Sequence, residues 1–152
     1  MDHETFFRDR YLTALNLIPL DRKSNWGFLS LQGMIEHMTD SIGIGWKRIH
    51  FPVQYSEDIV AKSKTFMLSD KPFKPGTKNS LMSETPHPLR CSDLDAAKRE
   101  LKLEIENFLE FWKNHPKEKV TNPFFGELNY NEWLHLLHKH AIHHLKQFGL
   151  EY

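Results

Sequence analysis

Apolar positions along this chain recur at steps of three and four residues, the spacing that puts them on one face of a helix. Phe7, Tyr11, Ala14, Leu15 and Ile18 mark a first helix over residues 4–17, with Pro19 just beyond its end. A second begins at Ser30, a good N-cap, carries Met34, His37, Met38, Ser41 and Ile42 on one side, and runs to about residue 48. Gly33, Gly43 and Gly45 lower its helix propensity but leave room for a neighbouring helix to come close. A third starts at Ser92, where Ser92-Asp93-Leu94-Asp95 reads as a capping box. Its stripe is Leu94, Ala97, Leu101, Ile105, Phe108 and Trp112, and it stops before Pro116. The fourth has Asn129 as N-cap, Glu132 three residues on, Leu128 and Trp133 placed for a hydrophobic staple, and Gly149 at its far end.

Between the second and third helices the periodicity breaks up over residues 50–90, where Pro52, Pro72, Pro75, Pro86 and Pro88 fall, although residues 57–67 suit a short extra helix. A connection of about 40 residues greatly exceeds the two to eight that join antiparallel neighbours in a bundle. It can run the length of a helix and so allow helices two and three to be parallel. No strand-like alternation, repeat or low-complexity tract is visible. The expected fold is therefore all-α: one domain over residues 1–152, a four-helix bundle in up-down-down-up order with a long crossover between helices 2 and 3.

Composition narrows the function classes. Twenty acidic and twenty basic residues cancel, which removes the long-range field expected of a nucleic-acid binder. The single cysteine, Cys91, excludes an internal disulfide and a Cys-rich zinc module and fits a reducing compartment. The first residues lack the basic and apolar regions of a secretory signal, and no apolar run reaches the ~18 residues of a membrane helix. A cytoplasmic protein, with no nucleic-acid or membrane partner, is the expectation.

Histidine is the compositional outlier, with ten in the chain and five of them between His135 and His144. His140 and His144, four apart, share a helical face with Trp133, Leu137, Ala141 and Phe148, while His135 and His138 turn to the far side. Two imidazoles buried side by side need a common partner, and a cation supplies one. Helix two offers His37 on its own apolar face. If helices two and four are antiparallel, His37 lies about 10 Å from one end and the His140/His144 pair the same distance from the matching end; in a parallel pair they miss by roughly 9 Å. His37, His140 and His144 are thus the candidate ligands of one divalent metal ion, with zinc or nickel the best match to three neutral imidazoles. The competing reading leaves the three hydrogen-bonded in a core without metal. His135, His138 and His143 read as surface or supporting residues, and His3, His50, His87 and His115 carry no signal.

Other chemistries fare worse. A di-iron bundle needs Glu-x-x-His on two helices, yet Glu132 to His135 points away from the core and Glu84 to His87 sits in the crossover. His-Glu-x-x-His, a phosphate-binding glycine loop and Gly-x-Ser-x-Gly are all missing. Cys91 reads as a connector rather than a nucleophile, and Glu36, Glu104 and Glu132 as solvated helix carboxylates, so no general base is named.

Two stretches carry a family resemblance. One is Trp26-Gly27-Phe28-Leu29-Ser30-Leu31-Gln32-Gly33-Met34-Ile35-Glu36-His37. The other comprises Asn122-Pro123-Phe124-Phe125-Gly126-Glu127-Leu128, then Glu132-Trp133, then His140-Ala141-Ile142-His143-His144-Leu145-Lys146-Gln147-Phe148-Gly149. With the helix plan they make the chain resemble the DinB-like (YfiT-like metal-dependent hydrolase) superfamily, in a bacterial subgroup of unknown function, over essentially its whole length. Gly33 departs from the larger residue expected before Met34, and the crossover matches no substrate-binding pattern. The resemblance implies an up-down-down-up bundle holding zinc, nickel or a similar ion through His37, His140 and His144. It also implies that a small thiol such as bacillithiol or mycothiol can be a partner and that the chain can form a homodimer. The expected function is a thiol-dependent transferase in which a metal-held thiolate attacks an electrophile. The alternatives are a hydrolase using metal-bound water and a non-catalytic, metal-pinned binding or sensor module.

Overall fold

The computed structural model describes residues 2–75 and 87–152. Glu84 and Pro86 of the crossover lie outside the described residues. The described residues are mostly helical, with one small antiparallel sheet. Among the described residues no helix is long and apolar enough to cross a membrane.

The first predicted helix is built in three consecutive pieces: α1 (His3–Thr5), a π-helical turn (Phe6–Arg10) and α2 (Tyr11–Asn16). Asp2 caps its start, accepting from Thr5 N at 2.8 Å. The wider turn has a physical reason. An ideal helix places Phe6 about 100° round from Phe7, whereas the π turn, closed by Tyr11 N–H on Phe6 O, stacks the Phe6 ring on Tyr11 and buries Phe6, Phe7 and Tyr11 together.

The second helix, α3 (Leu31–Ile44), is capped by Ser30 as expected but ends at Gly45, short of residue 48. Beyond it Lys47 adopts a positive φ of 72°, and the chain folds back so that Trp46 Nε1 and Arg48 Nε both donate to Glu104 Oε1 at 2.6 Å. Room for neighbouring helices is needed at Gly45: a Cβ there would lie 2.8 Å from Phe108 and 3.1 Å from Trp133. The extra helix of the crossover is α4 (Glu57–Leu68), capped by Ser56.

The third main helix, α5 (Leu94–Asn114), starts one residue later than predicted. Asp93, not Ser92, is the cap, its carboxylate accepting from Ala96 N at 2.7 Å. An aspartate caps as well as a serine, and its charge also favours the positive helix end. The fourth, α6 (Tyr130–Gln147), has both halves of the Asn129/Glu132 capping box. It closes with Leu150 N–H on Leu145 O and Gly149 N–H on Lys146 O around Gly149 at φ 93°.

The expectation of no strands is corrected by a hairpin of β1 (Val120–Asn122) and β2 (Gly126–Leu128), paired Val120 with Leu128 and Asn122 with Gly126. Three-residue strands are too short for alternation to register. Asn122 Oδ1 accepts from Phe124 N and Phe125 N, which turns the loop between the strands.

The core gathers Leu31, Met34, Ile35, Met38 and Ile42 of α3, Leu101, Ile105, Phe108 and Trp112 of α5, and Trp133, Leu137, Ala141 and Leu145 of α6 around Tyr11 and Leu15. Its polar ties fix the ends of the helices. Gln32 of α3 donates to Cys91 O just before α5, while Trp112 near the end of α5 donates to Gly45 O just past α3. Asn25 N–H donates to Gln147 O, setting the approach to α3 against the end of α6.

Candidate metal centre

Two adjacent turns of α6 and the middle of α3 bring the three predicted ligands together. His140 Nε2 lies 3.1 Å from His37 Nε2 and 2.9 Å from His144 Nε2. One ligand atom from each of the three falls within 4.8 Å of the others, the arrangement that can hold a metal ion. His140 and His144 are buried, and His37 is half-buried where the site opens. Ring planes of His37 stand at 78° to His140 and 81° to His144, so the rings approach through their edges and not by stacking.

The tautomer of His144 is set by a residue that the helical spacing could have flagged, three positions on from the ligand. Gln147 Nε2 donates to Trp26 O at 2.9 Å, which turns Gln147 Oε1 onto His144 Nδ1 at 2.7 Å. A carbonyl oxygen only accepts, so Nδ1 carries the proton and Nε2 presents its lone pair inward. Gly27, at φ 74°, makes the turn that brings Trp26 O to this point, and a Cβ on it would lie 3.1 Å from Gln147 Nε2. On α3, Ser41 Oγ donates to His37 O. Replacing Gln147 by alanine is expected to weaken zinc binding roughly 10- to 100-fold, as loss of an orienting partner does; chelator competition measures it, and an unchanged constant would deny Gln147 this role.

Burial holds all three imidazoles neutral. It brings His37 down to about 4, helped by His87 and His143 and opposed by Asp40. His140 falls well below its ordinary value through burial and its neighbours His144 and His37. Burial and His37 take His144 to about 3 against its hydrogen bond to Gln147. Neutral rings are what a cation requires of its ligands. In the metal-free protein these groups bind protons less readily when folded than when unfolded, where histidine titrates near 6.5. Stability is then fully present above about pH 6.5 and is lost as pH falls toward about 4, with His138, also lowered to about 4, acting in the same direction. Urea midpoints of metal-free protein across that window should fall steadily with pH; a flat profile would contradict the burial of neutral rings.

A cavity of about 740 Å³ opens beside the triad, bounded by α3, α4, α6, the start of the crossover and the hairpin loop. His37, His140 and His144 all reach its wall. So does His143, which the spacing assigned to the surface or a supporting role: its Nδ1 lies 3.3 Å from Phe73 O and its ring 5.2 Å from that of His144. His135 and His138 are half-buried rather than exposed, because the N-terminal helix covers them; His3, which carried no sequence signal, stacks on His138 at 4.2 Å and meets His135 edge-on at 5.5 Å. Nothing in a helical wheel of α6 alone reveals a face covered by the other end of the chain.

The carboxylates also differ from expectation. Glu36 and Glu104 are buried, not solvated: Glu36 accepts from Gln32 and from Arg90 N, and Glu104 from Trp46 and Arg48. Glu132 closes the α6 cap and pairs with Lys64. None of the three lines the large cavity. Cys91 remains a connector: its thiol donates to Glu100 at 3.0 Å, and burial and that carboxylate push it up to about 11, far from thiolate character.

Comparison with protein-family models, with curated proteins and with solved structures finds no match.

Proposed function

We propose that the protein is a DinB-like four-helix bundle, in up-down-down-up order, that holds one divalent ion, zinc or nickel, through His37, His140 and His144 and acts as a thiol-dependent transferase. The bundle order is supported by the way helix ends meet: the approaches to α3 and α5 are tied through Gln32 and Cys91 and their ends through Trp112 and Gly45, as in a parallel pair, whereas the approach to α3 meets the end of α6 through Trp26 and Gln147.

The observation that carries the metal reading is a conflict of protons. With Gln147 holding the His144 proton on Nδ1, the contact between His144 Nε2 and His140 Nε2 requires His140 to donate. A neutral His140 has one proton, and with it at Nε2 that atom has no lone pair left for His37 at 3.1 Å. The arrangement reversed at His140 leaves two lone pairs facing at 2.9 Å. A single cation satisfies all three nitrogens at once. Nitrogens bonded at about 2.0–2.1 Å in tetrahedral geometry stand about 3.3 Å apart, so His140 need draw away from each of the other two rings by only a few tenths of an ångström.

Three protein ligands leave a position free, and the triad lies at the cavity wall, which favours a catalytic over a closed structural site. A bound divalent ion would hold a small thiol as thiolate, ready to attack an electrophile. The residues of the chain supply the rest: Gln147 orients the His144 ring, and apolar walls border the site. Cobalt-substituted protein treated with 2-mercaptoethanol tests this. The expected result is a new thiolate-to-cobalt charge-transfer band; retention of cobalt without such a band would remove the transferase reading.

A further inference from the structure

The walls of the large cavity say what kind of reactant it admits. Rings from well-separated parts of the chain turn toward it: Trp26 before α3, Phe51 and Tyr55 after it, Phe66 of α4, Phe73, and Phe124 of the hairpin loop. Several are not held in the packed core. Tyr55 is 38% exposed and Phe66 40%; Tyr55 leans on Phe124 at 5.9 Å and Phe66 on Phe73 at 6.5 Å, so the rings form a continuous aromatic wall that still leaves part of each open.

Polar lining residues mostly direct their groups back into the protein. Ser41 Oγ donates to His37 O, Asn122 Oδ1 accepts from Phe124 N and Phe125 N, and Gln147 is engaged at both ends of its amide. No carboxylate is among the described lining residues, and the charged ones are Lys62 and Lys74.

We propose that this cavity takes an apolar, ring-bearing small molecule, neutral or singly anionic, with its reactive end toward His37, His140 and His144. A polyol or sugar would leave hydroxyls unpaired against the aromatic walls, a cost of about 1–3 kcal/mol per unmet polar group in the absence of water. Among the described lining residues a cation would meet two lysines and no carboxylate. The volume of about 740 Å³ lies within the range of small-molecule sites. This deepens the transferase reading and rests on it for which end reacts: the ring-bearing molecule is the electrophile, since a polar thiol gains little from these walls.

The test uses the full chain and two probes of matched ring size, 2-naphthalenesulfonate and 2-naphthylmethylammonium, with binding followed by calorimetry and zinc binding measured by chelator competition on the same preparations. The anion is expected to bind metal-free protein at least several-fold more tightly than the cation, and the half-exposed Phe66→Ser and Tyr55→Ser variants are each expected to weaken the anion about fivefold or more by removing ring contact. Equal or tighter binding of the cation, no binding of either probe, or variants that bind the anion as the native protein does would each overturn the proposal. Loss of zinc binding with the probe preference intact would defeat the metal reading while sparing the character assigned to the cavity.

Discussion

His140→Ala is expected to lower zinc affinity by at least about a hundredfold. Loss of a partner that merely orients a ligand already costs 10- to 100-fold, and His140 is the ring whose Nε2 lies within 3.1 Å of both others. Without it, His37 and His144 remain as two ligands on different helices. The useful control is His138→Ala, which removes a half-buried imidazole from the same helix but from the face stacked on His3. That variant should bind zinc as the native protein does. Chelator competition on the three proteins gives the ratios directly. Equal affinities for native and His140→Ala protein would mean that any zinc sits elsewhere.

Trp112→Ala should destabilise the fold by about 3–5 kcal/mol, a large part of the roughly 5–15 kcal/mol available to a domain. Trp112 is 1% exposed, packs on Phe108, Phe111 and Tyr130, and donates from Nε1 to Gly45 O at 3.0 Å. Truncation leaves a cavity between α3 and α5 and a buried carbonyl without its donor. Trp112→Phe keeps most of the ring and should lose only about 1–2 kcal/mol through that carbonyl. Denaturant midpoints separate the two; a loss below about 1 kcal/mol for the alanine variant would show that the helices close over the gap.

Much of this was legible in the pattern of residues, for reasons that differ by element. Helix stripes and local caps are short-range features, so Ser30 and the Asn129/Glu132 box appear where spacing put them. The candidate ligands were legible because four-residue spacing fixes a shared face and because helix ends set a common height. What depended on distant parts of the chain was not. The burial of Glu36 and Glu104 comes from Arg90, Trp46 and Arg48, and the cover over His135 and His138 comes from His3. Gln147 had a local signal, three residues after His144, but its role required Trp26 O to fix the amide. The hairpin, with strands of three residues, left no periodicity to read, although Asn122 and Gly126 mark its turn.

His37, His140 and His144 are expected to bind one divalent cation together. Elemental analysis of protein purified without chelators, native beside His37→Ala, tests it most directly. About one equivalent of zinc or nickel is expected in the native protein and close to none in the variant. Metal near zero in both, or equal content in the two, would contradict it.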